Sequence, residues 1–362
     1  MNGFKKAVFP GKYIQGSGAS LEIPNLIQSM GGRGFIIAAP SAFATIVDPI
    51  RAALPTDTVV EKFGRECCEK ELSRLEKAVR QSGAKSIVAI GGGKVIDTGK
   101  IVADRTSLPV IVVPTIASTD APCSGCAIVY TEDSVFERVF YQKHNPDIVL
   151  VDTAVIVRAP VRFLVSGMGD ALSTWFEARS CAQTVSANEC GGISTISGLA
   201  LAKLCYETLL EYGVTAKALC EKGILSPAVE RIIEANILLS GIGFESSGLA
   251  AAHAIHNGLT ALKPTHAYYH GEKVAFGVLA GLHLTDAPAA EMATVYAFCR
   301  SIGLPTTLAD LGLAEASRED LLTAATAACG AEQSIHHEAG KMTPERVLNA
   351  MLAADAMGRL GR

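Results

Sequence analysis

The stretch Ser86-Ile-Val-Ala-Ile-Gly-Gly-Gly-Lys-Val-Ile-Asp-Thr-Gly-Lys100 decides the fold. An apolar, β-branched run (86–90) enters three glycines and Lys94, and then the helical spacing of VIDTGKIVADR begins. Strand, tight turn and helix in immediate succession are the unit of an α/β sheet. The turn is neither a Walker A loop nor a G-x-G-x-x-G fingerprint. Glycines let a backbone approach a ligand closely, and free N–H groups at a helix start attract phosphate. The turn therefore reads either as a pyrophosphate cradle or as an ordinary tight βα connection. The same alternation extends to both sides. GFIIAA (34–39), TVVEKF (58–63) and LPVIVVPT (108–115) read as strands. AFATIVDPIRAAL reads as a helix, and EKELSRLEKAVRQSG as an amphipathic helix stopped by Gly83. IVYT, RVFYQ and DIVLVDT add a hairpin and a return strand. Apolar strands alternating with helices predict a parallel sheet covered on both faces.

After Asp152 the texture changes. Period-2 alternation fades, and helical spacing runs through RFLVSGMGDALSTWFEARSC, ISGLALAKLCYETLLEYG, SPAVERIIEANILLSGIGF, KVAFGVLAGLHL and TPERVLNAMLAADAMGR. The expected division is an α/β dinucleotide-binding domain over 1–157 and an all-helical metal-binding domain over 158–362. A cleft between such domains is a favoured place for a site.

A chain of 362 residues suits two or three domains. Net charge is −4, 19% of residues are charged, and no run of Lys or Arg occurs. That pattern lacks the electrostatic footprint of a nucleic-acid or anionic-membrane binder. MNGFKKAVFPGKY has no apolar core after its lysines, so a secretory signal is not expected. No apolar run is long enough to span a bilayer. The expectation is a soluble, cytoplasmic protein. The ten cysteines are scattered, as in chains with reduced, buried thiols. Cys123-x-x-Cys126 lacks the second pair of a zinc ribbon. It also follows Asp-Ala-Pro and precedes the β-like AIVYT, unlike a redox motif that opens a helix.

Four of eight histidines, His253, His256, His266 and His270, fall within eighteen residues. Each alone reads as an ordinary core or surface histidine, but the cluster reads as a metal site. A carboxylate must complete the set, and Asp170 in SGMGDALSTWFEA is the candidate; a helix cap is its alternative role. Asp plus two His leaves an open coordination position, the arrangement of catalytic zinc, and also suits Fe(II).

These motifs resemble the glycerol dehydrogenases within the iron-containing-type alcohol dehydrogenase superfamily. The resemblance spans essentially the whole chain. It is carried by PGKYIQG (10–16), AIGGGKVIDTGK, VPTIASTDAPCS, NPDIVLVDT, GMGDALSTWFEAR, ERIIEAN, SGIGFESSGLAAAHAIHNGLTAL and HGEKVAFG. It implies a Rossmann-like N-terminal domain plus an all-α C-terminal domain, the dehydroquinate synthase-like architecture. It also implies NAD, one divalent metal, zinc in this branch, and oxidation of glycerol, a small polyol, to dihydroxyacetone. The implied metal ligands are Asp170, His253 and His270, which would also meet substrate. The iron branch has a further histidine where this chain has Thr174. His256 becomes a non-ligand neighbour and candidate proton relay. Gly92, Gly93 and Lys94 would cradle the pyrophosphate, with Asp97 in the same cofactor set. Thr115, Ser118, Ser124, Cys126 and Tyr130 would line the cofactor, and Asp120 would bind a substrate hydroxyl. On this reading the Cys123–Cys126 sulfurs are incidental. A homo-oligomer, an octamer, is implied as well.

Two positions depart from the family pattern. The first strand ends in Ala38-Ala39-Pro40 where an Asp usually binds the adenosine ribose, and the following loop reads Gly64-Arg65-Glu66-Cys67 in place of GGEC. Losing an acid at Ala39 and gaining Arg65 extends the cofactor expectation to NADP. Competing readings are a dehydroquinate synthase-like lyase, a dehydrogenase for another diol or hydroxyketone, and a nucleotide-binding protein without catalysis. STDAPCS and HAIHNG argue against the lyase.

Overall fold

The computed structural model describes residues 3–360. They form two compact units, one of residues 9–160 with 223–225, the other of 161–222 and 226–360 together with the described residues before Phe9.

The first unit is built on a six-stranded, all-parallel sheet in the order β1-β8-β5-β4-β2-β3. The strands are β1 Lys12–Gly16, β2 Gly34–Ala38, β3 Val59–Lys62, β4 Ser86–Gly91, β5 Val110–Pro114 and β8 Ile148–Asp152. Every residue of β2, β4, β5 and β8 is buried, as continuous Val/Ile runs in a doubly covered sheet require. Helices α1 Ile23–Ser29, α3 Glu69–Ser82 and α4 Gly93–Thr106 connect them, and α5 Thr153–Ile156 follows β8. Chain order runs outward from β2 to β3 and in the opposite direction from β4 through β5. The strand order therefore reverses between β2 and β4, and ligands bind beyond the carboxyl ends of strands at such a point. Ala39 and Gly91–Gly93 lie there, and Thr115 follows β5 with its N–H bonded to the Gly91 carbonyl. Strands β6 Cys126–Tyr130 and β7 Phe136–Tyr141 pair as an antiparallel hairpin with a bulge at Val129/Tyr130.

The helix expected over 42–54 is irregular. A π turn (Phe43–Val47), the short α2 Asp48–Ile50 and a 3-10 turn (Arg51–Ala53) replace it. Pro49 explains the break, because it lacks an N–H and its ring crowds the preceding turn.

The second unit is helical: α6 Val161–Thr184, α7 Ile196–Cys220, α8 Pro227–Glu234, α9 Ser240–Ser247, α10 Ala251–Leu259, α11 His270–Leu284, α12 Ala289–Ile302, α13 Arg318–Ala328 and α14 Pro344–Arg359. A π turn at Ala235–Leu239 joins α8 to α9. Thr195, Ser226, Ser317 and Thr343 cap their helices by accepting first-turn N–H groups. Helix α11 packs against both α6 and α10, and glycine permits each crossing. A Cβ at Gly271 would lie 1.8 Å from the Ser166 carbonyl oxygen, and one at Gly277 would lie 2.3 Å from that of Ala252. Among the described residues no helix is long and apolar enough to cross a membrane.

Candidate metal and cofactor sites

The α6–α11 crossing places the metal candidates. Gly169 meets the Gly271 carbonyl so closely that a Cβ there would sit 2.3 Å from it. Asp170 and His270 are the neighbours of these two glycines, so close helix approach brings their side chains together. Arg162 at the start of α6 donates two hydrogen bonds to Glu272, at 2.6 and 2.8 Å, and pins the first turn of α11. Asp170 Oδ1 lies 3.1 Å from His270 Nε2 and 3.5 Å from His253 Nε2. The three ligand atoms lie within 4.8 Å of one another, the one such group among the described residues. Tetrahedral bonds of about 2.0–2.1 Å put ligand atoms about 3.3 Å apart, so the donor set fits zinc. Thr174 is buried and shares a hydrogen bond with Ser240.

The electrostatics favour a cation. Asp170 is 1% exposed. Burial alone would raise its pKa, but the His270 charge and hydrogen bonds from both histidines hold it well below the carboxylate range. Glu177, also buried, is opposed by burial and stabilised as an anion by His253. Two buried carboxylates thus surround the imidazoles. Behind His270, Nδ1 faces His256 Nε2 at 3.0 Å, His256 Nδ1 faces Asn257 Oδ1 at 2.9 Å, and Asn257 donates to Gln333 at the surface. Burial, together with His270 and Lys273, pushes the His256 pKa well down. His266 stands apart, bonded to the Thr260 carbonyl.

In the first unit, Gly93 opens α4 and a Cβ there would meet nothing within 4 Å, which leaves its backbone accessible. Gly99 packs α4 onto β4, where a Cβ would come within 2.3 Å of Ala89. Lys94 forms an ion pair with Glu66 at 2.5 Å and lies over the Tyr130 ring, 5.0 Å from its centroid. Asp97 faces inward: Oδ2 accepts from the Ile128 N–H at 3.1 Å, and burial pushes its pKa up to about 6 against the pull of Lys100. Asp120 is 9% exposed and precedes the 3-10 turn Ala121–Cys123; Ser118 is half-buried. Ser124 is fully buried, with its hydroxyl turned to the Ala121 carbonyl. The Cys126 thiol donates to Ser124, and neither Cys126 nor Cys123 is in a disulfide.

Three further residues organise these sites. Lys100 is 0% exposed. Its ammonium donates to the carbonyls of Ala121 and Cys126 and approaches Ser124 Oγ, so it stitches the 120–126 loop to α4. Glu66 meets Lys94 across 28 residues of sequence. Glu177 contacts His253 directly and follows Asp170 by seven residues, two helical turns, which is the spacing that could have found it.

Residues 10–153 match the iron-containing alcohol dehydrogenase family. Over 355 residues the chain is 50% identical to the glycerol dehydrogenase of Thermotoga maritima, covering 98% of this chain and 97% of that one. The chain belongs to the glycerol dehydrogenase family. It is also 45% identical to the Citrobacter freundii glycerol dehydrogenase, over 97% of each chain. The crystal structure of a probable glycerol dehydrogenase from Sinorhizobium meliloti matches with a TM-score of 0.93 at 44% identity, covering 98% of this chain and 99% of that one. The dehydroquinate synthase-like architecture expected from the sequence is thereby the fold of this family member.

Proposed function

We propose that this protein oxidises glycerol to dihydroxyacetone with NAD as hydride acceptor and zinc held by Asp170, His253 and His270. The observation that carries the reading is the convergence of one buried carboxylate and two imidazole Nε2 atoms, three ligands where a tetrahedral ion takes four. Bound zinc supplies Lewis acidity that weakens a hydroxyl O–H, and NAD supplies the hydride acceptor. The reaction moves a hydride from the C2–H of glycerol to the nicotinamide and releases the hydroxyl proton. Asp120 accepts a hydrogen bond from a substrate hydroxyl. His256, between His270 and Asn257, serves as the proton relay. The Gly92–Gly93 amides receive the pyrophosphate, with Lys94 beside them; Thr115, Ser118 and Tyr130 line the cofactor.

Ala39 and Arg65 extend the reading to NADP. Arg65 is exposed and adopts a φ of 84°, a left-handed conformation that favours glycine. Arg65→Gly should therefore fold well and lower the NADP/NAD ratio of kcat/KM; an unchanged ratio removes Arg65 from cofactor choice. The reading extends to a cytoplasmic homo-oligomer, an octamer, which light scattering measures.

NADH absorbance with glycerol at alkaline pH, before and after a chelator and after zinc is restored, tests the proposal. Activity that is lost and then regained supports metal, hydride transfer and polyol together. Undiminished activity in metal-free protein contradicts it.

A further inference from the structure

We infer that Glu177 is a positioning residue for the metal site: it holds His253 in the tautomer that presents the Nε2 lone pair beside Asp170. The inference rests on the metal reading of Asp170, His253 and His270. Glu177 is 1% exposed, and its carboxylate is fully engaged at the start of α10. Oε1 accepts from the N–H groups of Ala250 at 2.8 Å and His253 at 2.9 Å. Oε2 lies 2.6 Å from His253 Nδ1. An ionised carboxylate has no hydrogen to give, so Nδ1 must carry the proton of that contact. A neutral imidazole then has its lone pair on Nε2. That atom is the one facing Asp170 Oδ1 at 3.5 Å.

One helix thus supplies both a ligand, Asp170, and, two turns later, the group behind a second ligand. A ligating histidine whose other nitrogen donates to a carboxylate is oriented and made more basic. His270 is backed differently. Its Nδ1 faces the His256 Nε2 at 3.0 Å, a ring nitrogen that can donate or accept according to tautomer. The two histidine ligands are therefore unequal, and the fixed one is His253.

A purely structural role, capping α10, is the alternative to exclude. Glu338 supplies the control. It is buried and accepts from the Ala251 N–H at 3.2 Å on the same turn. In Glu177→Gln, an amide whose oxygen keeps both backbone N–H groups turns its NH2 toward Nδ1. Two donors then face each other, and the ring must move its proton to Nε2, which blocks ligation.

The test is zinc competition between a chromophoric chelator and apo-protein for wild type, Glu177→Gln and Glu338→Gln. The expected result is a zinc Kd about 10–100-fold weaker in Glu177→Gln and unchanged in Glu338→Gln. An unchanged Kd in Glu177→Gln overturns the inference, as does an equal loss in Glu338→Gln. If wild type takes up no zinc, the metal reading falls, and the inference with it. Should Glu177→Gln fail to fold, nitrogen NMR of histidine-labelled, zinc-loaded wild type decides. A protonated Nδ1 and metallated Nε2 on His253 support the inference; the reverse overturns it.

Discussion

A methyl group added at Gly93 would touch nothing within 4 Å, whereas one added at Gly271 would sit 1.8 Å from the Ser166 carbonyl oxygen. The first glycine opens a helix at the edge of the parallel sheet, and its missing side chain leaves space over the backbone. The second lies at a helix crossing, and its missing side chain is already filled by a neighbouring backbone. The same residue therefore leaves open backbone in one unit and permits helix approach in the other. Substitution at Gly93 should be felt by the ligand, and substitution at Gly271 by the fold and the metal.

The broadest effect, on fold and metal content together, is expected from Gly271→Ala. The methyl group meets backbone, which cannot swing aside, so α6 and α11 must separate. Overpacking of this kind costs about 1–3 kcal/mol or more. Separation also pulls His270 from Asp170, so thermal melting and metal content should fall together. Wild-type metal content in Gly271→Ala would break the comparison.

Lys100→Met comes next. It removes the ammonium from two loop carbonyls and leaves Asp97 buried without its neighbouring charge. Removing one partner of a buried pair costs about 3–5 kcal/mol, to be read from denaturant unfolding. The same variant should raise KM for NAD and glycerol more than it lowers kcat, because the 120–126 loop loses its anchor. A stable protein with ordinary KM values would show that the loop needs no such anchor.

Asp97 gives the pH dependence. Its pKa is raised from 3.8 to about 6, chiefly by burial. The folded state thus holds this proton more tightly than the unfolded chain. The favourable contribution is complete below the unfolded pKa and is lost as pH rises through about 6. Asp97→Asn removes that loss. Its stability relative to wild type should therefore rise between pH 4 and pH 6.5, by about 2–3 kcal/mol. A flat difference across that range would contradict the assignment.

Gly93→Ala should be the mildest for the fold. Alanine at a helical position stabilises by about 0.5–1 kcal/mol relative to glycine, while the added methyl weakens NAD binding, measured by fluorescence titration. Unchanged NAD affinity would remove Gly93 from the cofactor cradle.

How far the sequence could be read follows the same contrast. Strands β2, β4, β5 and β8 were legible because burial on both faces writes itself as unbroken Val/Ile runs. The Gly91–Lys94 turn was legible as a glycine run between an apolar strand and helical spacing. Histidine density pointed to a metal site within 253–270 and Asp170 offered the carboxylate, while the family resemblance singled out His253 and His270. The irregular 43–53 segment was misread because helical spacing there outweighed a single Pro49. Lys100 was passed over because a lysine in a helix ordinarily reaches solvent, and only tertiary packing reveals the carbonyls that receive it. Glu66 was hidden by its distance in sequence from Lys94. Glu177 lay in plain view at two turns from Asp170, but its partner on α10 is supplied by the fold.

The central claim is that the α6–α10–α11 crossing builds a metal site on which polyol oxidation depends. Elemental analysis of wild type and Asp170→Asn, with glycerol-dependent NADH formation measured on the same samples, tests it most directly. The account predicts about one zinc per chain in wild type, with metal and activity lost together in Asp170→Asn. Full zinc content and full activity in Asp170→Asn would contradict it.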